Sequence, residues 1–275
     1  SLAALEIAIK EAPQRSWTSP LVDGLLLLSF VAGSAFVLRT LRARWPLIDL
    51  QIFRDRNFAV GCLLSFVVGI GLFGSVYLMP VFLAYVRGHG ALEVGKIILV
   101  TGIVQFLIAP VAVALEERFD ERYLTAFGFL LFGIGLAMSC VQTGATDYDQ
   151  MFWPQVVRGV AVMFCILPPT RLALGLVAKV TVPDASGLFN MMRNLGGAIG
   201  IALIDTIIYT RAPIHAQDLA GRLSAGDPDA ARMVGIPPGM IGASLADPKA
   251  QTALGPLIDK AAFVEAINDA WALVA

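Results

Sequence analysis

Ser186–Asp205 reads SGLFNMMRNLGGAIGIALID, and this stretch decides how the chain folds. It is an apolar run that carries four glycines, two asparagines, an arginine and, far along it, an aspartate. A charge inside a membrane helix costs roughly 2.5–3.5 kcal/mol on insertion scales and normally faces a polar pathway. The stretch is therefore expected to be a transmembrane helix that lines a route across a bilayer.

Composition agrees. Hydrophobic residues make up 57% of the chain, charged residues 15%, and mean hydropathy is +0.75. Soluble domains lie nearer 45–50% apolar and about 25% charged. The net charge of −1 gives no basis for nucleic-acid binding. Cys62, Cys140 and Cys165 all lie in apolar runs, and their odd number and wide spacing fit buried thiols rather than a disulfide framework or zinc site.

Working outward, five more apolar stretches are long enough to span, at about Leu21–Leu41, Phe58–Val86, Leu92–Leu115, Tyr123–Val141 and Phe152–Ala178. With the glycine-rich helix at about Gly187–Thr210 they predict an all-α polytopic bundle. Residues 1–44 read as linker spans, the first only a remnant, since SLAALEIAI has the character of a helix tail. Residues 45–57, WPLIDLQIFRDRN, are too polar to span and read as a cytoplasmic interfacial helix. Residues 58–210 form the bundle. Residues 211–262 hold Asp227-Pro228, Pro237-Pro238 and Asp247-Pro248, and read as a long extracytoplasmic loop with no core of its own. Residues 263–275 read as the truncated start of a last span.

Basic residues set the orientation. Arg39, Arg42, Arg44, Arg54, Arg56, Arg118, Arg122 and Lys179 fall on one side, against Arg15 and Arg87 in the short loops of the other. The first side is cytoplasmic by the positive-inside rule. Arg211, Arg222, Arg232, Lys249 and Lys260 also fall outside, but are spread thinly along the long loop.

Several polar residues within the spans are candidates for function. Asp205 shares a helical face with Asn190, Asn194, Gly197 and Ile201. It reads either as a carboxylate that exchanges a proton or as a structural partner, with Arg158 as one possible counter-charge. Arg158 and Gln155 lie one turn apart. Arg158 reads either as a cationic contact to substrate or as an arginine snorkelling to the outer interface. Gln105 and Thr101 face either the pathway or a neighbouring helix. EERFDER, Glu116–Arg122, is a charged turn that either clamps two helices or is simply solvated. No catalytic, metal or cofactor constellation is visible, and no G-x-x-x-x-G-K-S/T phosphate loop occurs. An enzyme is not expected, and uphill work by such a chain would draw on an ion gradient.

These residues carry a resemblance. PLIDLQIFRDRNFAVG, Pro46–Gly61, resembles the start of the C-terminal half of the major facilitator superfamily. WPQVVRG and ASGLFNMMRNLGGAIG resemble segments of its fourteen-span drug:proton antiporters, the EmrB/QacA type. PVAVALEERFDER is similar to the superfamily's repeated loop motif, G-x-x-x-D-R-x-G-x-R, with Val113 at the glycine position and Glu117 at the aspartate. The resemblance implies a C-terminal-half fragment, with Glu117, Arg118 and Arg122 as a cytoplasmic gate and Arg193 pairing across the two halves. It also implies proton-driven efflux of hydrophobic or cationic small molecules from the bacterial inner membrane, by alternating access about a midplane site. The implied partners are small-molecule substrate, protons, the N-terminal half of the same protein and the lipid bilayer, with a periplasmic adaptor and outer-membrane channel for members with long outer loops. Proton-coupled uptake of a specific solute is the alternative on the same fold. A non-transporting scaffold built on the outer loop is the alternative from another class.

Overall fold

The computed structural model describes residues 2–15, 17–42, 50–175, 177–178, 181–236 and 248–275. In chain order these form α1 (Leu2–Arg15), α2 (Pro20–Arg42), a 3₁₀ turn (Leu50–Arg54), α3 (Arg56–Phe82), α4 (Ala91–Glu116), α5 (Glu121–Ala137), α6 (Tyr148–Leu174), α7 (Val182–Ser224), α8 (Pro228–Val234) and α9 (Pro248–Val274). A π-turn, Leu83–Arg87, extends α3 to the αL residue Gly88. No strand occurs among the described residues.

Aspartates start many of these helices. Asp55 accepts from Asn57 N at 2.7 Å and Phe58 N at 3.1 Å, and Asp120 accepts from Arg122 N at 2.8 Å. Asp147 accepts from Tyr148 N at 2.9 Å, while Gln150 reaches back to Asp147 N at 3.0 Å, closing a capping box. Each such cap contributes about 1 kcal/mol and fixes where a helix begins.

Small residues bring the helices together. In the α3–α7 pair, a Cβ on Gly196 would overlap the Phe66 carbonyl oxygen, and one on Gly200 would lie 2.9 Å from Ile70 Cα. In the α5–α6 pair, a Cβ on Gly128 would lie 2.7 Å from the Phe164 carbonyl carbon. Apolar helices in lipid associate mainly by close packing, so such glycines select the partner helix. Around these contacts Leu78, Phe82, Leu136, Ile204, Ile267 and Trp271 form the buried core. The outward faces stay apolar: Phe30 on α2 is 73% exposed and Phe106 on α4 81%. That is the pattern of a bundle that meets lipid or another apolar helix layer.

Among the described residues, five helices are long and apolar enough to cross a membrane: Pro20–Thr40, Arg56–Arg87, Ala91–Glu116, Tyr148–Leu174 and Val182–Ser224. The expected span Tyr123–Val141 is the shorter α5, of 17 residues, because Met138–Val141 form turns. It reaches about 25 Å, the lower limit for a span.

The structure departs from the sequence reading in three places. The interfacial helix expected over 45–57 is not formed in its described part; residues 45–49 lie outside the described set. Leu50–Arg54 make one 3₁₀ turn, and Asp55, by capping Asn57 and Phe58, assigns Arg56 and Asn57 to α3. The described residues of 211–262 do not form a coreless loop. The helix expected to stop at Thr210 runs on through Pro213 to Ser224 as the 43-residue α7, about 64 Å long. Its outer end packs on α8 and α9 around buried Leu219, Leu223, Ala230, Ala231, Val234 and Ala262, a second small core. Finally, the helix expected to start at Phe263 starts at Pro248.

Candidate functional site

Asp205 is met by a tyrosine. Tyr77 Oη on α3 donates to Asp205 Oδ1 at 2.6 Å, a short hydrogen bond between helices packed by their glycines. The sequence reading missed Tyr77, which stands in the apolar run LFGSVYLMP with nothing to mark its direction. Asp205 comes 23 residues after Val182, about 35 Å along α7, and so lies toward the end of the bundle remote from the arginine-rich turns.

The other members of its expected face diverge. Gly197 is buried, and a Cβ there would lie 2.5 Å from the Phe73 ring. Asn190 and Asn194 are exposed and line a groove of about 410 Å³ together with Leu5, Glu6 and Ile9 of α1. Asn190 Nδ2 also donates to Ser186 O at 3.0 Å. The face is thus divided between a groove toward α1 and a contact with α3.

Arg158 is 3% exposed, so it does not snorkel to the interface. Its Nε donates to Pro154 O at 3.3 Å, its Nη2 lies 3.8 Å from Met79 Sδ, and its guanidinium sits 4.9 Å from the centre of the Trp271 ring. No carboxylate pairs with it among the described residues. Met79 and Tyr77 are two residues apart on α3 and project to opposite sides, so Arg158 and Asp205 occupy opposite faces of that helix at similar depth. Gln155 is fully buried, and its Oε1 accepts from Thr101 Oγ1 at 3.0 Å. Thr101 and Gln155 therefore join α4 to α6. Gln105 is half-buried and makes no hydrogen bond among the described residues.

At the arginine-rich end the charged turn is wired differently from the expected gate. Arg171, in the last turn of α6, lies 3.7 Å from Glu116 and 3.9 Å from Glu121. Glu117, Arg118 and Arg122 form no ion pair among the described residues. Glu116 and Glu117 differ by about 100° around the helix; Glu116 turns inward, with its side chain 7% exposed, and Glu117 caps the end. Arg122 instead lines a groove with Arg56 and Asn57. Arg193 lies over the Phe189 ring at 5.4 Å, and its buried Nε has no partner among the described residues.

The opposite end carries a tighter cluster. Asp147 takes Arg87 Nη2 at 2.6 Å and His89 Nε2 at 3.0 Å. The hydrogen bonds from Arg87 and His89 pull its carboxyl down from 3.8 to about 2. Gln142 and Asn268 exchange two hydrogen bonds, at 2.9 and 2.8 Å, which tie α9 to the α5–α6 turn. Among the described residues no group of three histidine, cysteine or acidic side chains is placed to hold a metal.

The sequence that builds these apolar helices has relatives among known proteins. Residues 7–201 match the Major Facilitator Superfamily. The chain is 35% identical over 219 residues to the colistin resistance protein EmrB of Acinetobacter baumannii, covering 79% of this chain and 43% of that protein. It is 26% identical over 234 residues to the multidrug export protein EmrB of Escherichia coli K12, covering 84% and 46%. Against the fatty acid resistance protein FarB of Neisseria gonorrhoeae it is 26% identical over 215 residues, covering 78% and 42%. The chain thus spans less than half the length of these relatives. Asp205 and the outer core lie beyond the stretch matched to the family. The chain carries the apolar helices of a multi-pass membrane protein and belongs to the major facilitator superfamily.

Proposed function

We propose that the protein containing this chain exports hydrophobic or cationic small molecules across the bacterial inner membrane, driven by inward proton flow. The observation that carries this reading is the Asp205 carboxylate within an apolar helix, held by Tyr77 at 2.6 Å. A carboxylate in that setting can exist charged or protonated, and each form favours a different arrangement of α3 and α7. Asn190 and Asn194, in the groove with Glu6, offer a polar surface to substrate on its way to that level. The Glu116–Arg171–Glu121 cluster, with Arg122 next to Glu121 in the chain, serves as the cytoplasmic gate against the N-terminal half, together with Arg193. The outer helical extension supplies a surface for a periplasmic adaptor that leads to an outer-membrane channel. The relatives' names, multidrug export and colistin resistance, support export over uptake.

Ethidium accumulation in bacteria with and without the full-length gene tests the proposal. The expected result is lower accumulation with the gene, reversed by a protonophore, and loss of that protection in Asp205→Asn. Higher accumulation with the gene would favour solute uptake. Unchanged accumulation of ethidium and other amphipathic cations, with the protein correctly inserted, would favour a scaffold.

A further inference from the structure

We propose that the partly open cavity beside Arg158 is a binding site for a small organic carboxylate. The cavity holds about 270 Å³ and is lined by Arg158, Ser139, Gln142 and Thr146, with Met79 and Met151 among its apolar walls. Ser139, Gln142, Thr146 and Arg158 are each under 9% exposed.

The argument rests on an imbalance between donors and acceptors. A guanidinium carries five N–H donors. Arg158 has one carbonyl at 3.3 Å, one thioether, which is a weak acceptor, and the Trp271 ring. A buried charge ordinarily has an ionic partner, because desolvation costs several kcal/mol per ion. Two further buried donors nearby, Gln155 Nε2, one turn earlier, and Trp271 Nε1, on the ring beneath the guanidinium, lack partners among the described residues, against one unpartnered buried acceptor in the lining, Gln142 Oε1. Arg158 is enclosed by α3, α5, α6 and α9 of this same chain, so an acceptor must fit inside the cavity. The flat fork of a guanidinium matches a carboxylate in two parallel bonds. The hydroxyl of Ser139 and the amide of Gln142 stand in the same wall. Methionine walls favour an organic body over a hydrated inorganic ion. The site lies on the face of α3 opposite Asp205 and does not depend on the export reading.

Equilibrium dialysis of labelled benzoate against the purified full-length protein tests the site, with binding as the readout rather than transport. Saturable binding that neither benzyl alcohol nor chloride displaces is expected. Arg158→Gln should weaken it about 30-fold or more, as for one partner of a buried charge pair. Arg158→Lys, which keeps the charge but loses the fork, should fall between. Ser139→Ala should weaken binding a few-fold, and it decides the matter if Arg158→Gln does not fold. The proposal is overturned if wild type shows no saturable binding below about 10 mM. It is equally overturned if Arg158→Lys and Ser139→Ala bind as wild type does, or if phosphate competes as well as benzoate.

Discussion

Replacing Gly196 by alanine is the sharpest perturbation of this bundle. The added Cβ would overlap the Phe66 carbonyl oxygen, with Phe66 C at 2.9 Å and Cα at 3.1 Å, so only backbone opposes it and no side chain can rotate away. At Gly200 the obstacle is milder: Ile70 Cα at 2.9 Å is about 0.5 Å inside ordinary contact at 3.4 Å. At Gly102, on α4, nothing lies within 4 Å. Glycine to alanine in a helix interior gains up to about 1 kcal/mol from propensity, whereas overpacking costs about 1–3 kcal/mol, occasionally more. A gap of half an ångström or more between α3 and α7 also forfeits a quarter to a half of each contact's dispersion energy. Gly102→Ala should therefore match or exceed wild-type stability. Gly200→Ala should lose about 1 kcal/mol net, and Gly196→Ala about 3 kcal/mol or more. Thermal unfolding of the detergent-purified full-length protein reads the order directly. The reasoning is refuted if Gly196→Ala unfolds at the same temperature as Gly102→Ala.

The outer cluster makes its own prediction. The carboxyl of Asp147 is depressed from 3.8 to about 2 in the folded state, so its stabilisation is complete above about pH 4 and is lost as pH falls toward 2. Asp147→Asn should cost no more than about 1 kcal/mol at neutral pH, because Arg87 and Asp147 are each nearly a third exposed and screened. Its deficit against wild type, measured by unfolding midpoint, should vanish by about pH 2. Leu223→Ala, at a 2% exposed position of the outer core, should cost about 2–4 kcal/mol locally. Trypsin cleavage at Arg222 or Arg232 should then accelerate, while the α3–α7 contact stays protected.

The bundle was legible because its signals are local or long. An apolar run of spanning length announces itself, whereas the caps Asp55, Asp120 and Asp147 were not read as helix starts. The small residues of α7 were visible too, but not that Gly196, Gly197 and Gly200 all choose α3. What escaped depends on direction around a helix. Glu116 and Glu117 are neighbours in sequence, yet only the first turns toward Arg171. Tyr77 and Met79 stand two residues apart, yet one meets the aspartate and the other the arginine. The end of α7 was placed too early, at Thr210, because Leu219 and Leu223 carry the helix onward through contacts with residues distant in sequence. Arg158 appeared shallow from its place along α6; α9, through Trp271, closes over it.

A single unbroken rod runs from the arginine-rich turns to the outer core. From the Gly196 pivot to Ser224 is about 42 Å of helix, so a tilt of about 5° at the pivot sweeps the far tip by about 4 Å. Pro213 omits one rung of the ladder between those points, which makes it the natural place for the rod to flex. The far tip is thus a mechanical pointer: a label placed near Leu223 would register tilting of α7 without touching any residue along the transport route.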